Sequence, residues 1–158
     1  MAQHALLKAV QAALSAEHAA VYGYGIVGAR VGGGAHAEQA RQAYDAHRAR
    51  RDALRRTVGD LGGEPVAAEP AYALPFDVPD SSAAVRLAAE LEDRVAGVYA
   101  DLVRAAGADL RREGADALRE AAVRAVRWRG GSVAFPGLAE RSRPAGEKVE
   151  HQEGRTPT

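Results

Sequence analysis

Apolar residues near the start of the chain recur every three or four positions: Leu6, Val10, Leu14, Val21, Tyr24 and Gly28. That spacing puts them on one stripe of an α-helix and predicts a first helix over residues 3–30. The run Gly32, Gly33, Gly34 is a stop signal for it. A second stripe, Ala40, Tyr44, His47, Arg51, Leu54, Val58 and Leu61, predicts a helix over 35–61, closed by Gly62 and Gly63. A third, Val85, Ala88, Leu91, Val95, Val98, Tyr99 and Leu102, predicts a helix over 82–106, with Ser81 or Ser82 as its cap and Gly107 as its stop. The fourth, with Leu110, Leu118, Ala121, Ala122, Ala125 and Trp128 on its apolar face, spans 109–129, with Asp109 as its cap. Arg127 and Arg129 in its last turn suit the helix dipole.

The connections set the topology. A three-glycine turn between two long helices makes an antiparallel hairpin. Residues 62–81 hold four of the seven prolines and are too many for a turn between neighbours. They suit a crossover running the length of a bundle, pinned by Tyr72, Leu74 and Phe76. Hairpin, crossover, hairpin is an all-α fold: a four-helix up-down bundle with one long crossover, the ferritin-like arrangement. We expect the bundle to occupy residues 1–138, with Val133, Phe135 and Leu138 folding back on it, and residues 139–158 to form a disordered tail.

Composition narrows the chemistry. The chain has 158 residues, 47% apolar but only 5% aromatic, a mix suited to close-packed helices. Basic and acidic residues balance at 21 each, so no global field draws nucleic acid or an anionic membrane. There is no cysteine, which excludes disulfides and thiolate chemistry. We see neither a signal peptide nor a membrane span and expect a cytoplasmic protein.

Four ionisable residues interrupt the apolar seams. Glu17 has the phase of the first stripe, where a carboxylate is costly unless it is paired or bound to metal. His47 lies in the centre of the second stripe. Counting from the intervening turn, the two differ in level by about 3 Å at a rise of 1.5 Å per residue, so they should face each other. Glu92 and Arg124 lie at the edges of the third and fourth faces, at matching levels about Ala108. The candidate site is therefore Glu17, His47, Glu92 and Arg124, with Tyr44 and Arg51 one turn to either side of His47.

The segments AEHAAVYGYGIVGAR, AYDAHRARRDAL, EPAYALPFDV and VRAVRWRG resemble a bacterial family of ferritin-like proteins of uncharacterised function, over about residues 3–138. In that superfamily a di-metal site takes a Glu from each of two helices and Glu-x-x-His from each of the others. Glu17 and Glu92 match the single-Glu positions and His47 the histidine of one pair. Tyr44 stands where the paired Glu belongs, Glu120 projects away from the apolar stripe, and the fourth helix has no histidine. What the resemblance implies is a degenerate site. Either the ionic groups neutralise one another without metal, or Glu17, His47 and Glu92 hold one iron or manganese ion.

Other signals weigh less. Gly23 to Gly28 fits G-x-G-x-x-G, but within helical periodicity and without a following strand, so we read it as close helix approach. The arginines of the second helix are read as a solvated face, not a nucleic-acid surface. His18 is read as a surface or groove residue and Trp128 as a core cap. The expectation is a non-enzymatic binding or assembly module, a homodimer, with no cofactor; the alternative is a redox-active iron or manganese protein.

Overall fold

The computed structural model describes residues 2–131, and the positions discussed above from Val133 onward lie outside them. Four α-helices follow one another: α1 (Ala2–Arg30), α2 (Ala35–Asp60), α3 (Ser81–Ala105) and α4 (Ala108–Arg129). No strand occurs among the described residues. The helices pack as a bundle in which α1 lies against α2 and α3, and α3 against α4. Pairings fix the directions. Glu17 meets His47, and Gly63, just beyond α2, approaches Leu7, so α1 and α2 are antiparallel. Glu92 meets Arg124, and Gly114 lies against Leu102 and Val103, so α3 and α4 are antiparallel too.

The crossover lies along α1. Gln11 Nε2 donates to the Glu64 carbonyl at 2.6 Å, and the Val66 amide donates to Gln11 Oε1 at 2.9 Å. Farther on, the Tyr22 and Tyr72 rings meet in a tilted contact with centroids 5.6 Å apart, and Arg30 donates to the Val78 carbonyl at 3.1 Å. Leu74, Phe76 and Val78 pack on the core as half-buried side chains. His18 is a buried residue under this segment, with Nε2 3.1 Å from the Val66 carbonyl oxygen.

Two helix starts differ from the expectation. Asp80, not a serine, caps α3, its carboxylate accepting from the Ala83 amide at 2.8 Å. The helix begins one residue early, which turns the Ser81 hydroxyl to the Val31 carbonyl at 3.2 Å. Gly107 occupies the cap position of α4, so Asp109 falls inside the first turn, where its charge meets the helix dipole. The glycines of α1 also separate. A Cβ on Gly23 would lie 2.6 Å from Leu91 Cδ1, whereas Gly25 and Gly28 face open space. Close approach to α3 therefore explains Gly23 alone.

The core forms two apolar clusters. One gathers Val10, Leu14, Leu54, Val58, Val95 and Leu102. The other gathers Val27, Ala40, Ala84, Leu87 and Trp128. Between them sit the buried polar residues Glu17, His47 and Glu92. No described helix is long and apolar enough to cross a membrane.

Candidate functional site

Each helix sends a polar group to the same level of the bundle. Glu17 comes from α1, His47 from α2, Glu92 from α3 and Arg124 from α4. The first three are at most 1% exposed. Helical phase explains how they arrive there: each lies on or beside an apolar stripe, so burying the stripe carries the polar residue inward.

His47 bridges the two carboxylates. Its Nδ1 lies 2.6 Å from Glu17 Oε2 and its Nε2 3.1 Å from Glu92 Oε1. Glu17 Oε1 accepts the Tyr99 hydroxyl at 2.6 Å. Glu92 Oε1 accepts the Tyr24 hydroxyl at 2.6 Å and Arg124 Nε at 2.7 Å. Tyr24 in turn accepts Trp128 Nε1 at 2.9 Å, and its ring stacks on His47 at 5.3 Å. The result is one chain of hydrogen bonds: Tyr99, Glu17, His47, Glu92, Tyr24, Trp128. Three donors converge on Glu92 Oε1, while Oε2 is buried with no hydrogen-bond partner among the described residues. Oε1 is therefore where the Glu92 charge is balanced.

Ionised carboxylates only accept hydrogen bonds, so a ring held between two of them is satisfied when both nitrogens carry protons. Burial opposes charge on His47, but hydrogen bonds to Glu17 and Glu92, and their charges, outweigh it and raise the pKa from 6.5 to about 9. Burial likewise opposes charge on Glu92, but the hydrogen bond and charge of His47, with Arg124 behind them, hold its carboxyl below the usual range. For Arg124, burial disfavours the cation and the Glu92 charge more than restores it. Burial first, then the adjacent carboxylates, push both tyrosine hydroxyls well above their ordinary value of 10.0. They are fixed as neutral donors. Two anions and two cations leave the centre with no net charge.

As arranged here, the set offers a divalent cation no free imidazole nitrogen. Coordination by His47 needs a ring lone pair, and both ring nitrogens are committed to carboxylates. Arg124 adds positive charge beside Glu92. Among the described residues, no group of three or more His, Cys, Asp or Glu side chains is arranged to hold a metal ion.

Two expected members stand apart. Arg51 pairs with Asp52 at 2.8 Å and keeps 22% of its side chain exposed. A neighbouring carboxylate at the surface balances it more cheaply than burial beside two cations already paired. Tyr44 is half-buried, with the Arg48 guanidinium 5.7 Å over its ring. Conversely, Tyr24, Tyr99 and Trp128, which spacing alone marks as plain core, belong to the network; Tyr24 and Tyr99 share the stripes that carry Glu17 and Glu92. Glu120, turned away from the apolar face, joins from outside: it accepts Arg50 at 3.0 Å and lies 4.0 Å from Arg124.

Residues 9–140 match the family described as a domain of unknown function, DUF4439. The chain belongs to that family. Among solved structures, it is similar to the crystal structure of a conserved hypothetical protein, rv2844, from Mycobacterium tuberculosis. The two share 36% identity over 80% of this chain and 96% of that one, with a TM-score of 0.78. No curated protein matches the chain.

Proposed function

We propose that this member of the family is a ferritin-like bundle whose central site is an ionic network that stands in place of a metal centre. It acts without catalysis, as a binding or assembly module inside the cell, and it works as a homodimer. The observation that supports the reading is the placement of His47, both of whose nitrogens are taken by carboxylates from different helices. A buried network whose charges are paired across different helices favours one packing arrangement over others, because a shift strands a charge. On this reading Glu17, His47, Glu92 and Arg124 hold four helices in register and present a rigid outer surface.

The test is the metal content of protein purified from cells grown with added iron or manganese, alongside the unfolding of Glu17→Ala. The reading expects no stoichiometric metal and a large loss of stability in the variant. Stoichiometric metal that disappears with Glu17→Ala, with stability retained, would instead establish an iron or manganese site at Glu17, His47 and Glu92.

A further inference from the structure

An open groove of about 800 Å³ lies between α1, α3 and the crossover. Small residues of α1, Ala12, Ser15, Ala16 and Ala19, form one side. On α3, its floor and rim continue into a surface stripe with an ordered sequence of charges. At about 100° per residue, Glu90, Arg94, Gly97, Asp101 and Arg104 fall within about 40° of one line. Their spacing is four, three, four, three, the repeat of a helix–helix seam. The charges read minus, plus, glycine, minus, plus.

That order is complementary to itself when reversed. In an antiparallel pair of α3 helices crossing near Gly97, Arg94 meets Asp101 of the other copy and Glu90 meets Arg104. The two pairings have their midpoints at positions 97.5 and 97.0, a mismatch under about 1 Å at a rise of 1.5 Å per residue. Each contact occurs twice, as a two-fold axis requires. Gly97, at the crossing point, has no side chain to hold the helices apart, and small residues of this kind permit close approach. The four charged side chains are 41–79% exposed and satisfied only by neighbours on their own helix, Arg94 by Glu90 and Arg104 by Asp101. They sum to zero, so the rim offers no field for an ionic headgroup. It does offer a register for a second copy.

We propose that two copies of this chain associate through α3, antiparallel about Gly97, with the groove between α1 and α3 covered by the interface. This deepens the assembly reading above and is independent of the metal-free centre: a monomer would remove the dimer and leave the central network standing.

The experiment is sedimentation velocity on the full chain between about 1 and 100 µM, the range in which a modest dimer dissociates, with charge-swap variants. Arg94→Asp and Asp101→Arg each set like charges against each other across the axis and should weaken the dimer at least about tenfold. The double variant restores opposite charges across the axis and should recover most of the loss. Within one chain the two positions are seven residues apart, so their side chains do not meet, and both local ion pairs are lost in the double variant. Recovery thus has no source inside the monomer. Circular dichroism confirms that all three variants keep their helices. A wild-type chain that stays monomeric overturns the proposal. A dimer that the single variants leave intact overturns it as well, because another face then carries the contact. So does a double variant no better than the singles.

Discussion

Replacing Glu17 by Gln removes one charge from the centre and almost no volume. The amide oxygen still accepts from His47 Nδ1, and the Tyr99 hydroxyl rotates to accept from the amide NH₂. What is lost is the attraction between the carboxylate and the imidazolium. A rise in the His47 pKa from 6.5 to about 9 corresponds to about 3 kcal/mol at 1.4 kcal/mol per unit. The low pKa of Glu92 describes part of the same attraction and is not added to it. Glu17, at 2.6 Å against 3.1 Å for Glu92, holds the larger share, about 2 kcal/mol. Urea denaturation followed by circular dichroism at pH 6, where His47 is charged, should therefore show Glu17→Gln about 2 kcal/mol less stable than wild type. Glu17→Ala should lose about 3–5 kcal/mol, because it leaves a buried cation facing a cavity. Against a typical total of about 5–15 kcal/mol, both losses are easily measured. The sign with pH follows from linkage. The His47 pKa is raised on folding, so its contribution is fully present below pH 6.5 and is lost as pH climbs to about 9. The Glu17→Gln deficit should accordingly shrink between pH 6.5 and about 9. A deficit under about 0.5 kcal/mol at pH 6, or one that does not change with pH, would refute the argument.

Three further outcomes follow. Trp128→Phe removes the donor to Tyr24 and should cost about 1 kcal/mol by circular dichroism, without changing the helix content; no loss at all would mean that the indole N–H is not paired. Gly23→Ala and Gly25→Ala should diverge on thermal unfolding. The first pushes a methyl into Leu91 and should lower the midpoint. The second meets open space and gains up to about 1 kcal/mol of helix propensity. Equal effects at the two positions would contradict the close packing of α1 on α3. Asp80→Ala should cost about 1 kcal/mol through loss of the α3 cap, while Ser82→Ala should cost a few tenths at most.

The helices and the level of the site were legible because both depend on a single period. Apolar spacing placed α2 over residues 35–61, and the structure ends it at Asp60. Glu17 and His47 share phase and level, and they meet. What single-helix spacing does not carry is where the end of a side chain goes. A tyrosine on an apolar stripe has the same period whether its hydroxyl reaches a carboxylate or solvent, so Tyr24 and Tyr99 passed as core. Arg51 is the converse: it has the right phase, but a long side chain swings to Asp52. The α3 cap was displaced by one residue, because Asp80 and Ser81 are both competent and packing chose between them. His18, about 100° from Glu17 around α1, looked peripheral because the path of the crossover over it has no helical period to follow.

The central claim is that His47 is a buried imidazolium held between two carboxylates with no metal. Nitrogen-resolved NMR of the histidine side chains in the 158-residue chain, purified from iron-supplemented cells, addresses it directly. The account predicts protons on both His47 nitrogens at neutral pH and a titration midpoint near 9. A His47 ring that titrates near 6.5, or one with a nitrogen bonded to metal, would contradict it.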